Sequence, residues 1–175
     1  EKTLLLELVY PITSTSLPIL PDLKKSPKLL WLDTGLVNYV AGMQEDLLFN
    51  KDADKLWNGD IAEHAVGQEL LGSTVTFGEK RMFWVRDARN SQAEVDFVIR
   101  HKSHLLPIEV KTGSNAKLRS LHQYMDESTA TIALRLWNGP MTSDVVTTQK
   151  GKSFKLYNIP LYYAGHLPRI SSLVL

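Results

Sequence analysis

The amino-acid sequence predicts an α/β fold in which helices flank a mixed β-sheet. Several short segments alternate between polar and apolar residues, the period of a half-buried strand. Two longer segments carry apolar residues at helical spacing. Between residues 59 and 137 these segments follow one another as helix, strand, strand, strand, helix, strand. This order predicts one mixed sheet with helices packed on it.

The sequence pattern predicts some of these elements more strongly than others. The two helices are clearly amphipathic over Asp60–Leu71 and Ser114–Asp126. The four core strands are predicted over Met82–Arg86, Glu94–Arg100, Leu105–Lys111 and Thr131–Trp137. Weaker patterns predict extra strands at Val145–Thr148 and Phe154–Leu156, and a closing turn of helix at Leu161–Gly165.

The chain divides by composition near residue 58. Residues 1–58 are predicted as an N-terminal segment of linker and packing elements, or the end of a preceding domain, and residues 59–175 as the main domain. Residues 1–10 are apolar and predict the start of a helix, whereas the four prolines within residues 11–28 predict a loop. Residues 36–42 predict a short helix or turn. Because Glu1 is not a start methionine, we expect the chain to be part of a longer protein.

Composition limits the functions open to the chain. It has 175 residues, of which 43% are hydrophobic and 22% charged, and its net charge is +1. These values are ordinary for one globular domain and exclude a broadly polycationic surface. Cysteine is absent, which excludes disulfides, thiol nucleophiles and cysteine-based zinc sites and fits a cytoplasmic protein. The uncharged run Leu8–Pro21 contains three prolines, so we expect no membrane helix there.

The strongest candidate for chemistry is the hairpin of the second and third core strands. Their short connection predicts antiparallel pairing, in a register where paired residue numbers sum to 205. Asp96 then faces Glu109, and Glu94 faces Lys111. Opposed side chains lie about 4.5–5.5 Å apart at Cβ. The two carboxylates therefore repel each other unless a cation or a proton intervenes.

A divalent cation with oxygen ligands is one remedy for this repulsion. Mg²⁺ on such carboxylates can polarise a phosphoryl oxygen and activate water, while Lys111 neutralises charge or orients the water. A third carboxylate would come from the packed helix, as Glu63 or Glu69. Simpler interpretations stay open: alternating charges on a hairpin often form a solvated face, and Asp60–Glu63 fits a helix capping box.

Three segments carry a family resemblance: Gly59-Asp60-Ile61-Ala62-Glu63, Ala93-Glu94-Val95-Asp96-Phe97-Val98-Ile99 and Pro107-Ile108-Glu109-Val110-Lys111. Together they resemble the PD-(D/E)XK nuclease superfamily, which has the restriction-endonuclease-like fold. The resemblance is closer to one branch, the uncharacterised domain that follows the ATPase module in prokaryotic AAA-type ATPases. Other segments that resemble this branch begin at Lys25, Trp84 and Ile159, so the resemblance extends over nearly the whole chain.

The resemblance implies roles for four residues. Glu63 is the helix carboxylate, Asp96 and Glu109 are metal ligands that Glu63 joins, and Lys111 is the catalytic lysine. It also implies a restriction-endonuclease-like sheet in residues 59–175, Mg²⁺ or Mn²⁺ as the cofactor, and phosphodiester hydrolysis of DNA as the reaction. The ATPase module of the same full-length chain is then a partner.

One short segment resembles part of an ATP-binding phosphate loop. Gly151-Lys152-Ser153 imitates the end of a phosphate loop, but the earlier glycine position is occupied by Val146. We therefore expect a turn there, and any ATP site in a missing N-terminal part.

The competing hypothesis is a catalytically silent domain of the same fold that binds DNA or a protein partner and regulates the ATPase. We expect the basic residues Lys117 and Arg119 either to contact phosphates or to form a solvated face.

Overall fold

The structure is a computed structural model of the chain, and it describes residues 5–40, 42, 59–73, 81–88, 92–113 and 117–174. Its strands are β1 (Leu6–Ile12), β2 (Lys28–Trp31), β3 (Met82–Val85), β4 (Glu94–His101), β5 (His104–Lys111), β6 (Ile132–Trp137), β7 (Thr142–Thr147) and β8 (Ser153–Pro160). Its α-helices are α1 (Thr34–Val40), α2 (Gly59–Ser73), α3 (Arg119–Glu127) and α4 (Leu167–Val174), and a 3₁₀ helix spans Leu161–His166.

The described strands form one mixed sheet in the order β2–β1–β3–β4–β5–β6–β8–β7. β3, β4 and β5 pair antiparallel, whereas β5, β6 and β8 pair parallel. The step from β5 to its parallel neighbour β6 passes through α3, as a parallel connection requires a crossover. The predicted α/β class is confirmed, and so is the predicted order of elements, which appears as α2, β3, β4, β5, α3 and β6.

The N-terminal residues belong to the sheet. The helix predicted within residues 1–10 is wrong, because Leu6–Ile12 pairs antiparallel with β2 and parallel with β3. Pairing with neighbouring strands outweighs the local apolar pattern. Residues 13–27 connect β1 to β2 without a helix or strand, in keeping with their prolines. The predicted short helix near residues 36–42 is found as α1, and the polar stretch 43–58 lies outside the described residues.

One face of the sheet packs against α2, the 3₁₀ helix and α4. Ala62 and Val66 of α2 are buried with Phe97 of β4 and Ile108 of β5 in one apolar layer. The smallness of Ala62 lets the helix approach the sheet closely, and burial of apolar surface holds it there. This layer fixes the N-terminal part of α2, which carries Glu63.

The opposite face packs against α3. Leu121 and Tyr124 of α3 are buried together with Trp84 and Val98 of the sheet. The Trp84 and Tyr124 rings meet edge to face, with centroids 5.3 Å apart, an arrangement that aromatic pairs favour. In the part of the chain that the structure describes, no helix is long and apolar enough to cross a membrane.

The central hairpin has the predicted register, although the predicted facing pairs Asp96–Glu109 and Glu94–Lys111 lie beyond the last observed pair. Pairs run from His101–His104 to Phe97–Ile108, with residue numbers that sum to 205. The predicted alternation along β4 is wrong at one point, because the β3–β4 register shifts and Val95 packs with α3 while Phe97 packs with α2. A β-bulge of this kind re-aims side chains locally. Asp96 lies between these two residues, at the point where the alternation breaks.

Candidate active site

The predicted strand carboxylates lie where the β4–β5 pairing ends. Phe97 and Ile108 are the last paired residues in this direction, and Asp96 and Glu109 are the next positions on each strand. There the Asp96 carboxylate binds the partner strand: Val110 N donates a hydrogen bond to Asp96 Oδ2 at 2.7 Å. This bond fixes the Asp96 side chain against the strand that carries Glu109.

Glu109 is almost fully buried, with 3% of its surface exposed. Lys111 Nζ lies 2.7 Å from Glu109 Oε1, whereas Glu109 Oε2 is buried without a hydrogen-bond partner. Burial and the nearby charge of Asp96 raise the pKa of Glu109 to about 7, although Lys111 opposes the shift. A carboxyl group in this state gains from any further positive charge placed beside it.

Asp96 and Lys111 respond to the same surroundings. Burial raises the pKa of Asp96, and the Val110 hydrogen bond and the charges of Lys28 and Lys111 only partly oppose this. Burial by itself would lower the pKa of Lys111, but the carboxylates of Glu109, Asp96 and Glu63 outweigh burial and raise it. Lys111 is therefore a charged ammonium at neutral pH, and it adjoins two carboxyl groups that are costly to ionise.

The helix acid Glu63 reaches the same cluster from α2. Burial and the charge of Asp96 raise the pKa of Glu63, whereas Lys28 acts in the opposite direction. The structure thus brings together all four residues that the sequence predicts for the site: Glu63, Asp96, Glu109 and Lys111. Their catalytic and metal-binding roles stay predictions.

The alternative helix carboxylate lies elsewhere. Glu69 packs against Gly165 of the 3₁₀ helix, so closely that a Cβ at Gly165 would collide with its carboxylate. Glu69 is about 1.7 helical turns beyond Glu63, which turns it away from the hairpin. Of the two candidates that the sequence left open, Glu63 is therefore the one in the cluster.

Lys28 is the residue that the sequence reasoning missed. It lies on the short edge strand β2, and its Nζ is 2.7 Å from Glu63 Oε1 and 2.5 Å from Glu94 Oε1. Burial would lower the pKa of Lys28, but the carboxylates of Glu63 and Glu94 outweigh burial and raise it. Residues 1–58 thus supply a charged group to the cluster. The only signal in the sequence was that Lys28 lies in the segment beginning at Lys25, which shares the family resemblance.

The carboxylate cluster suits a hard cation in its donor atoms. Asp96 and Glu109 offer carboxylate oxygens, and the buried Glu109 Oε2 has no partner, so these groups fit Mg²⁺ or Mn²⁺, which bind through one or two carboxylates. Among the residues that the structure describes, however, no three acidic or histidine side chains are grouped closely enough to hold a metal ion. Lysine ammonium groups stand among the carboxylates instead.

A basic cleft lies beside α3. Its volume is about 700 Å³, and its lining includes Lys117, Arg119, His122 and Gln123 from the α3 side. Lys152, from the turn after β7, is not free for a ligand, because its Nζ donates to the Met125 carbonyl at 2.6 Å and also to that of Ser128. The turn predicted at Gly151-Lys152-Ser153 is found slightly earlier, closed by hydrogen bonds between Thr148 and Gly151 and between Thr148 and Lys152, with Gly151 at a φ of +84° and Ser153 already in β8.

The fold and the site define an α/β domain with a mixed sheet and a half-buried cluster of carboxylates and lysines. The family model described as "Domain of unknown function (DUF4143)" matches residues 58–162, which is more than half of the chain. The chain belongs to this family. No curated protein and no solved structure matches it.

Proposed function

We propose that this chain is a nuclease-like domain of the restriction-endonuclease-like fold, which hydrolyses DNA phosphodiesters with Mg²⁺ or Mn²⁺. The observation that carries the proposal is the meeting of Asp96, Glu109 and Lys111 at the end of the β4–β5 ladder. Glu63 approaches the same point from α2. The order α2, β3, β4, β5, α3, β6 supports the fold assignment.

The buried carboxyl groups are the reason to place a metal here. Asp96 and Glu109 both have raised pKa values because they are buried, and a neighbouring carboxylate raises each further, Glu94 for Asp96 and Asp96 for Glu109. A protein loses stability by ionising such groups, and a bound divalent cation compensates them. When bound, Mg²⁺ supplies positive charge that polarises a phosphoryl oxygen and activates water.

The chain's own residues then divide the remaining work. Asp96 and Glu109 hold the cation, and Glu63 completes the acidic set from the helix. Lys111, held 2.7 Å from Glu109, orients the attacking water and stabilises negative charge that develops on the phosphate. The Val110 hydrogen bond keeps Asp96 in place for this task, and the packing of α2 keeps Glu63 in reach.

The wider setting is part of the proposal. The domain follows the ATPase module of a prokaryotic AAA-type ATPase, and it works in the cytoplasm. The cleft beside α3 offers Lys117 and Arg119 to a phosphate backbone, which is the contact that positions nucleic acids on proteins.

A second candidate function is a silent domain of the same fold that binds DNA or a protein partner. The observation that favours it is the position of Lys28, whose ammonium contacts Glu63, Glu94 and Asp96. A lysine can compensate carboxylates permanently and leave a scaffold without catalysis. Metal-independent DNA binding with no cleavage is the behaviour expected of this candidate.

The test is a plasmid-nicking assay with Mg²⁺ or Mn²⁺. We expect nicking by the wild-type chain, its loss on addition of EDTA, and its loss in Asp96→Asn and Lys111→Met. Glu69→Gln is the matched control, because Glu69 lies on the same helix as Glu63 but against Gly165, and it should cut like the wild type. Cleavage that persists in both site variants, or no cleavage with either metal, would contradict the proposal.

A further inference from the structure

Lys28 is held firmly among the carboxylates of the site. Its Nζ is 2.7 Å from Glu63 Oε1, 2.5 Å from Glu94 Oε1 and 3.9 Å from Asp96 Oδ1. The side chain is only 21% exposed, and the ammonium stands 4.7 Å from the centre of the Phe83 ring, within cation–π range. Lys28 is therefore a fixed positive charge of the site.

The net charge of the cluster is one that a single divalent cation would neutralise. Among the described residues, the cluster consists of four carboxylates and two ammonium groups. The carboxylates are those of Glu63, Glu94, Asp96 and Glu109, and the ammonium groups are those of Lys28 and Lys111. Fully ionised, these groups carry two negative charges in excess. A divalent cation held by Asp96 and Glu109, with Glu63 completing the set, would share Asp96 and Glu63 with Lys28, and it would meet the ammonium as a like charge at short range.

We propose that Lys28 competes with the divalent cation for this site. Its ammonium holds Glu63, Glu94 and Asp96 together, and it lowers the affinity of these carboxylates for Mg²⁺ or Mn²⁺. This inference rests on the metal site proposed above. It deepens that proposal, because it names the group that sets the metal concentration at which the site fills. When a cation occupies the site, Lys28 retains Glu94, its shortest contact, as its partner.

The competition is measured by isothermal titration calorimetry with Mn²⁺ at pH 8, on the wild-type chain, Lys28→Met and Lys25→Met. Lys25 is the matched control, because it is a nearby lysine that pairs with the exposed Asp87 at 3.2 Å. We expect Lys28→Met to bind Mn²⁺ about tenfold or more tightly than the wild type, since a like charge is removed from the site. Lys25→Met should bind as the wild type does.

A second measurement on the wild-type chain covers the case in which Lys28→Met does not fold. Acylation of lysines by an amine-reactive reagent is followed by mass spectrometry with and without Mn²⁺. Saturating Mn²⁺ should increase the labelling of Lys28 and leave that of Lys25 unchanged.

The outcomes separate this inference from the proposed function. Equal or weaker Mn²⁺ binding by Lys28→Met, with clear binding by the wild type, overturns the competition and leaves the metal site standing. Unchanged Lys28 labelling at saturating Mn²⁺ does the same. Absence of Mn²⁺ binding in every variant overturns both the competition and the metal-dependent function.

Discussion

Replacing Glu109 with Gln removes a carboxyl group that the fold makes costly to ionise. Burial and the charge of Asp96 raise its pKa from 4.5 to about 7. Because the folded value is higher than the unfolded one, the folded chain binds this proton more tightly. The stability that protonation contributes is complete below about pH 4.5, and it is lost as the pH rises through about 7.

The magnitude follows from the size of the pKa difference. A difference of about 2.5 between the folded and unfolded pKa corresponds to about 3 kcal/mol at 1.36 kcal/mol per unit. The Glu109→Gln variant lacks this group, so its free energy of unfolding should exceed the wild-type value by up to about 3 kcal/mol at pH 8, with no such gain near pH 4.5. The attraction of Lys111, whose Nζ lies 2.7 Å from Glu109 Oε1, lowers this pKa and is already included in the value of about 7.

The assay is urea unfolding from pH 4.5 to pH 8 in the presence of EDTA. The control is Glu127→Gln, which removes a carboxylate that is about a third exposed and pairs with Arg86 at 2.6 Å, and it should not raise the free energy of unfolding at pH 8. A Glu109→Gln difference that is flat with pH, or that favours the wild type increasingly as the pH rises, would refute the reasoning. The same variant should lose all Mg²⁺-dependent nicking.

Three further predictions concern the stability of the folded chain. Arg81→Met removes a buried guanidinium that pairs with Glu7 and donates to the Gly67 carbonyl, so the free energy of unfolding should fall by about 3 kcal/mol; an unchanged urea midpoint would contradict this. Tyr124→Phe removes a buried hydroxyl that has no partner, so thermal unfolding should show equal or higher stability, by up to about 1 kcal/mol, and a clear loss would count against it. Gly165→Ala should change the free energy of unfolding in urea by less than about 1 kcal/mol, because the Glu69 carboxylate that its Cβ meets is the far end of a flexible, exposed side chain and can move away; a larger loss would contradict this.

The hairpin and its helix were predictable because each has a local signal. Alternation in β4 and β5 and the short loop between them determine the register, since a slip by one residue would turn every side chain to the other face. The spacing of apolar residues in α2 likewise predicts which face of the helix is buried. These two local patterns were enough to bring Asp96, Glu109, Lys111 and Glu63 to one place.

The remaining features depend on contacts that are distant in sequence. β1 forms a strand because β2 and β3 lie on either side of it, which its own residues do not indicate. Lys28 contacts Glu63 from 35 positions away, and a single lysine at the start of an edge strand carries no signal of such a contact. The bulge at Asp96 arises from the pairing of β4 with β3, and the sequence of β4 alone does not locate it.

The central claim is that Asp96 and Glu109 share a divalent cation beside Lys111. The most direct measurement is a crystal structure of the chain grown with Mn²⁺, in which the anomalous signal of manganese locates the ion. The account predicts a peak bonded to carboxylate oxygens of both Asp96 and Glu109. A map at saturating Mn²⁺ with no peak between these two side chains would contradict it.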